Sequence, residues 1–231
     1  MLKKIMLSAV VLCSALSLAA APKVKIDQSS KIRLIESIVR VVCTNDVEGF
    51  KALCVPGFAD TMSEVMVIYI DRNMNISKFL DIIGEEIKKD CGVTSYEQIL
   101  NDQATFRKAV TKCEDDSFIK LNGKWYFYQP IVDHTSKEML ATVYMLAVRY
   151  SDAITFFDVW VPEQRHKMIE EAGSKEKVIE LFARKMSEDN LSEKLERVNF
   201  KDPVQRKQIV QLLESKNALV QVNGKWYIQF K

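Results

Sequence analysis

The spacing of apolar positions along the chain predicts a protein rich in helices. In several segments apolar residues recur every three or four residues, which is the period of one helix face. The two clearest segments contain Leu34, Ile35, Ile38, Val39 and Val42, and then Leu140, Tyr144, Met145 and Val148. Similar spacing predicts further helices at about 76–90, 104–113, 175–189 and 203–214. Residues 65–70 fit either a buried strand or the end of an apolar helix.

Polar residues mark where several of these helices begin and end. Asp46 and Asp152 stand where a carboxylate can accept backbone N–H groups at a helix N-terminus. Thr135 and Glu138 have the spacing of a capping box, which predicts the start of another helix. Gly92 follows the helix at 76–90, where a left-handed residue can end it.

Two Asn-Gly pairs, at 122–123 and 223–224, predict β-hairpins. Such a pair between alternating residues favours a tight turn, because both central positions need positive φ. Pairing outward from each turn puts several large residues on one face: Phe118, Trp125 and Phe127, then Leu219, Trp226, Ile228 and Phe230. We expect this face to be buried against the helices, and Lys120 to lie over the Trp125 ring.

The chain also repeats itself. The pentapeptide Asn-Gly-Lys-Trp-Tyr occurs at 122–126 and again at 223–227. Four residues recur 106 positions later with the same identity: Asp46, Phe50, Val55 and Pro56. Self-similarity at a fixed period indicates repeated structural units. We therefore predict a helix-rich α+β fold of two tandem homologous modules, 28–130 and 132–231, each with helices followed by a C-terminal hairpin.

A helix pair, an Asp-x-x-x-Phe step at Asp46 and Asp152, and a terminal Asn-Gly-Lys-Trp-Tyr strand recur in both modules. Together they resemble exported proteins of the nuclear transport factor two-like superfamily, whose fold is a cystatin-like α+β cone. The resemblance implies a curved sheet wrapped around helices. Helical sequence fills much of the stretch where this superfamily has further strands, so a helical module with a single hairpin is the alternative. The superfamily contains enzymes and binding modules, and the resemblance assigns no activity.

The N-terminus has the layout of a secretory signal peptide. Lys3 and Lys4 precede an apolar run at 5–18, which three alanines follow. The run is shorter than the roughly 20 residues of a spanning helix, and the residue before Cys13 does not fit a lipoprotein signal. We expect 1–19 to be removed and the protein to be periplasmic or extracellular, without a stable membrane span.

Charge and composition exclude several classes of protein. The chain is 48% hydrophobic with only 7 Gly and 5 Pro, which is globular and neither collagen-like nor disordered. It has 33 Lys and Arg against 31 Asp and Glu, and loss of Lys3 and Lys4 with the signal would balance these charges. Affinity for nucleic acid depends on an excess of cations that neutralise phosphates. We therefore expect no nucleic-acid partner.

Four cysteines remain beyond the signal, all in the first module: Cys43, Cys54, Cys91 and Cys113. An even number in an exported chain indicates two disulfides, with three possible connectivities. We favour Cys91–Cys113 with Cys43–Cys54. Buried free thiols are the alternative, because the second module has no cysteine at the corresponding positions.

The sequence predicts no catalytic, cofactor-binding or metal-binding residue. Its two histidines, His134 and His166, have no counterparts in the other module and no metal-ligand spacing, and no nucleophile or phosphate-loop motif occurs. Both modules retain Asp46 and Asp152; we expect helix capping to explain them, with a ligand contact at either one as the alternative.

These observations predict an exported, non-enzymatic binding protein whose partner is a small ligand or another protein. Two alternatives stay open. One is a structural or assembly component of the cell envelope. The other is a small acid–base enzyme with a cone-shaped pocket.

Overall fold

Helices and two short hairpins make up residues 24–114, 117–188 and 191–229, which are the residues described in this computed structural model. The predicted signal peptide at 1–19 and the predicted strand residue Phe230 lie outside them. The first half contains α1 (Lys31–Cys43), α2 (Val47–Leu53), α3 (Phe58–Tyr69), α4 (Ile76–Cys91), α5 (Tyr96–Asn101), α6 (Gln103–Lys112), β1 (Phe118–Leu121) and β2 (Lys124–Phe127). The second half contains α7 (Lys137–Arg149), α8 (Ala153–Asp158), α9 (Pro162–Ala172), α10 (Lys175–Glu188), α11 (Leu191–Leu195), α12 (Pro203–Ser215), β3 (Leu219–Val222) and β4 (Lys225–Ile228).

The structure confirms the helix-rich character of the chain, and it makes residues 65–69 of the ambiguous segment at 65–70 helical. Val65 and Met66 in α3 are buried, whereas Ile70, just after the helix, is 68% exposed. An apolar helix suits this position because its buried side faces the second half of the chain. Within the described residues, no helix is both long enough and apolar enough to cross a membrane.

The capping box predicted at Thr135 is wrong by one residue. The backbone N–H and the hydroxyl of Thr135 both donate to Asp133 Oδ1, at 2.8 and 2.7 Å, so this hydroxyl is already engaged. Ser136 caps α7 instead, and its hydroxyl oxygen accepts the Met139 N–H at 3.1 Å. At the end of α4, Gly92 has the predicted left-handed conformation, with φ of 74°.

Both hairpins are antiparallel and have the strand register predicted from their sequences. The prediction of a buried tryptophan face is wrong in part, because Trp125 and Trp226 are only half-buried. In the first hairpin, the opposite face packs towards α10, so Ile119 and Leu121 are buried. Lys137 lies over the Trp226 ring at 4.2 Å, whereas the expected contact between Lys120 and Trp125 is not found among the described residues.

The two halves share their hydrophobic cores. Val65 of α3 belongs to the core of the second half, which also contains Leu140, Leu146, Phe200 and Ile228. Conversely, Ala153, Ile154 and Phe157 of α8 pack into the core of the first half. We call this region of contact the junction: residues 54–69 and 128 on one side, and residues 142–175 on the other.

Candidate functional site

The two aspartates that the sequence singles out both cap helices. Asp46 Oδ1 accepts the Gly49 N–H at 2.9 Å at the start of α2, and its Oδ2 accepts the Val24 N–H at 3.3 Å. Asp152 Oδ1 accepts the Thr155 N–H at 3.1 Å at the start of α8. Capping therefore accounts for both residues, and a ligand contact at either one stays a prediction.

Asp152 differs from Asp46 because it is fully buried at the junction. Its Oδ2 has no hydrogen-bond partner among the described residues. Pro130 stands 106 residues after Val24, and proline has no N–H to donate. Burial raises the pKa of Asp152 to about 7, and the Asp158 charge adds to the rise. The second half thus lacks the backbone donor that Val24 supplies to Asp46 in the first half.

The backbone packs closely around Asp152. Gly57 has φ of 80°, a conformation that side chains disfavour. A Cβ atom at Gly57 would clash with the Tyr150 carbonyl oxygen and would lie 2.8 Å from the Asp152 nitrogen. Glycine is therefore required at position 57 both for its conformation and for the space it leaves.

Burial and the Asp152 charge both raise the pKa of the neighbouring Cys54 thiol.

A second buried ionisable group crosses the junction. The Tyr128 hydroxyl donates to Asp158 Oδ2, and burial together with the Asp158 charge raises the pKa of Tyr128. Arg165 and Lys175 each place a nitrogen 3.7 Å from Asp158 Oδ1. Lys175 also lies 5.1 Å from the centre of the Tyr128 ring. The buried acid therefore has a hydrogen-bond donor from one half and two cations from the other.

Sequence reasoning missed this group, although one signal was present. Asp158 interrupts an otherwise apolar stretch at 156–160, and Ala52 stands 106 residues before it. An acid that replaces an apolar residue in one of two repeated segments indicates a change of surroundings. It does not identify Tyr128 as the partner, because the two residues meet only in the folded chain.

A surface groove lies beside the junction, between α9, α10 and the first hairpin. Its outer part has a volume of about 440 Å³ and is lined by Asn122, Ala172, Lys177, Glu180, Leu181 and Arg184. A smaller inner cavity of about 80 Å³ shares Asn122 and Glu180 with it and continues to Val55, Pro56, Leu121 and Ile179. The Asn122 N–H donates to Glu180 Oε1 at 2.7 Å, and these two residues lie where the two parts meet. We call both parts together the groove.

Another depression of about 530 Å³ lies at α5 and α6. Two of its lining residues, Gln98 and Asp102, take part in helix capping. These two side chains, and Thr105, whose hydroxyl donates to Asp102, are therefore engaged in local structure. Lys177 and Arg184 in the groove differ, because no carboxylate lies within 4.0 Å of either cation among the described residues.

The four cysteines are thiols in this structure. Cys43, Cys91 and Cys113 lie at the C-terminal ends of α1, α4 and α6, which pack against one another. Burial, and then the neighbouring Cys113 and Cys91, raise the pKa of Cys43 to about 12. Cys54 lies at the junction, paired by its backbone with Phe127. The predicted disulfide pairing stays a prediction.

The two histidines have unlike surroundings. His134 Nδ1 lies 2.7 Å from the Trp226 carbonyl oxygen, and burial lowers the pKa of this imidazole. His166 lies on the surface of α9, 3.1 Å from Glu170. In the described part of the chain, no three residues among His, Cys, Asp and Glu are grouped so as to hold a metal ion.

Comparisons with protein-family models, curated proteins and solved structures give no match to this chain.

Proposed function

We propose that the protein is an exported, non-enzymatic binding protein built from two copies of one α+β module, with the groove as its ligand site. One observation carries the binding function. Lys177 and Arg184 line an open groove without a carboxylate within 4.0 Å among the described residues. Cations without such a carboxylate in the described part of the chain are available to an anionic ligand.

Recurring contacts support the proposal of two modules, 28–130 and 132–231. Each hairpin has an Asn-Gly pair with positive φ between its strands. Three backbone contacts in the first half have counterparts in the second. The Trp125 N–H donates to the Gln28 carbonyl oxygen at 3.0 Å, as the Trp226 N–H does to that of His134 at 2.7 Å. The Val55 N–H donates to the Phe127 carbonyl oxygen at 3.1 Å, as the Val161 N–H does to that of Ile228 at 3.0 Å. The Asp46 N–H donates to the Val41 carbonyl oxygen at 3.0 Å, as the Asp152 N–H does to that of Ala147 at 2.8 Å.

A small acid–base enzyme is the second candidate, and the pKa of Asp152 is the observation that favours it. A carboxyl group with a pKa near 7 can both accept and release a proton at neutral pH. However, Asp152 is fully buried, and it is not among the residues that line the groove. Its pKa follows from burial at the junction, so we prefer the binding function.

Native mass spectrometry of the protein purified from its exported compartment tests the proposal. We expect an added mass of one ligand per chain, which leaves when the protein is denatured. The double variant Lys177→Glu and Arg184→Glu should lose this mass, whereas Lys185→Glu, on the same helix outside the groove, should keep it. A parent chain without added mass would contradict a retained ligand, and an oligomer without ligand would favour the envelope-assembly alternative.

A further inference from the structure

The outer part of the groove carries an excess of positive charge. Glu180 is its only lining carboxylate among the described residues, and its Oε1 accepts the Asn122 N–H at 2.7 Å. This acid is thereby directed to the hairpin backbone. Lys177 and Arg184 are exposed, and neither has a carboxylate within 4.0 Å in the described ranges. The outer groove therefore complements an anionic group.

The inner cavity has a different character. Val55, Pro56, Leu121 and Ile179 supply apolar walls, Tyr126 and Ser151 add polar groups, and its volume is about 80 Å³. An apolar cavity of about 150 Å³ holds one benzene molecule, so this one has room for roughly three or four carbon atoms. It adjoins the outer groove at Asn122 and Glu180, which line both.

We propose that the groove binds a short-chain monocarboxylate. Its carboxylate lies between Lys177 and Arg184, and its aliphatic end enters the inner cavity. Guanidinium and ammonium groups both donate charge-assisted hydrogen bonds to a carboxylate. Burial of the aliphatic end supplies the hydrophobic part of the affinity. This inference rests on the proposed binding function and names its class of ligand.

Isothermal titration calorimetry of the mature full-length chain with sodium hexanoate tests it. We expect saturable binding at one site per chain. Acetate, which has no chain to bury, should bind at least about tenfold more weakly than hexanoate. Hexylamine has a similar chain and the opposite charge, so it should not bind.

Substitutions of charged residues on α10 test the contribution of the outer part of the groove. Lys177→Gln and Arg184→Gln should each weaken hexanoate binding about fivefold, whereas Lys185→Gln should leave it unchanged. Glu180→Gln keeps an oxygen that can accept the Asn122 N–H and removes a negative charge. It should therefore strengthen hexanoate binding by about threefold.

Filling the inner cavity tests the aliphatic end separately. Ala183 lines this cavity and is exposed, so Ala183→Leu places side-chain atoms there without disturbing the core. This variant should weaken hexanoate binding and leave acetate binding unchanged. Ser187→Leu adds the same side chain on the same helix outside the cavity, and it should change neither affinity.

Equal binding of hexylamine and hexanoate would overturn the proposal, and so would equal hexanoate affinity in Arg184→Gln and Lys185→Gln. Absence of hexanoate binding would also overturn it. In that last case, a small ligand retained in the native mass spectrum would leave the binding function standing and reject only the carboxylate class. Thermal unfolding of each variant checks that the substitutions leave the fold intact.

Discussion

Helices α2 and α8 occupy matching places in the two halves, yet corresponding faces of the two helices lie in opposite environments. Each follows an aspartate cap, Asp46 or Asp152. In α2 the outward position Lys51 carries a charged side chain, with Asp60 at 3.4 Å. The residue 106 positions later is Phe157, which is buried in the core shared by the two halves. A face that meets solvent in one half therefore forms the junction in the other.

The same comparison explains other differences between the halves. Glu48 is exposed, whereas Ile154 at the matching place is buried. Ala52 has no charge to satisfy, whereas Asp158 accepts a hydrogen bond from the Tyr128 hydroxyl across the junction. These departures between α2 and α8 lie where the halves meet.

Truncating a buried side chain at the junction should have the largest effect on the free energy of unfolding. Phe157→Ala removes a buried aromatic ring and should lower the free energy of unfolding by about 3–5 kcal/mol. Lys51→Ala, at the matching half-buried and charged place, should change it by less than about 0.5 kcal/mol. Urea unfolding followed by circular dichroism measures both. Equal losses in the two variants would contradict the assignment of Phe157 to the junction.

The second prediction concerns the close backbone approach at Gly57. Gly57→Ala adds a clash with Tyr150 to the cost of positive φ, so we expect a loss of about 3 kcal/mol or more. Gly92→Ala has the same backbone cost with no atom within 4 Å of the added Cβ. It should cost about 1–2 kcal/mol. The urea midpoints of the two variants give the difference in stability. Indistinguishable midpoints would show that the backbone at Gly57 does not lie close to Tyr150.

The third prediction uses the pH dependence of Asp152. Its folded-state pKa of about 7 lies above the ordinary value of 3.8. Its stabilising contribution is therefore fully present below pH 3.8 and is lost as the pH rises through 7. In the parent this lowers the free energy of unfolding by up to about 4 kcal/mol over that range. Unfolding of Asp152→Asn measured at several pH values should lack this loss.

Asp46→Asn is the matched control for that experiment, because it changes the other cap and leaves the junction intact. It should keep the stability loss between pH 4 and 7. If Asp152→Asn keeps that loss as well, the carboxyl of Asp152 does not titrate as its burial requires.

The smallest expected effect lies at His134, where the first half has Gln28. Burial lowers the pKa of His134 below its ordinary value of 6.5. The stability of the neutral form is therefore present above pH 6.5 and is lost as the pH falls, opposite in sign to Asp152. His134→Gln should remove this loss, a change below about 1 kcal/mol after allowance for partial exposure. Thermal unfolding at pH 5 and pH 8 checks it, and an unchanged difference between the two would contradict it.

Local signals in the sequence predict much of the fold. Apolar spacing predicts the main helices, the aspartates predict the caps of α2 and α8, and alternation around 122–123 predicts the strand register. Each of these features depends on residues close together in the chain. Ser136 replaces the predicted cap at Thr135 for an equally local reason, since Asp133 engages that hydroxyl.

The groove and the junction could not be predicted in this way. Glu180 meets Asn122 across 58 positions, and Tyr128 meets Asp158 across 30. Neither pairing leaves a periodic pattern in the sequence. The half-burial of Trp125 likewise depends on how the first hairpin packs towards α10. The superfamily resemblance and the cleavage of 1–19 stay predictions.

Urea unfolding of the intact chain, followed by tryptophan fluorescence in each half, tests most directly whether the junction joins the halves into one unit. One variant keeps only Trp125, through Trp160→Phe and Trp226→Phe. The other keeps only Trp226, through Trp125→Phe and Trp160→Phe. Because the halves share buried residues, we expect both probes to report the same midpoint and the same steepness. Two separate transitions, one for each tryptophan, would show that the halves unfold independently and would contradict the junction.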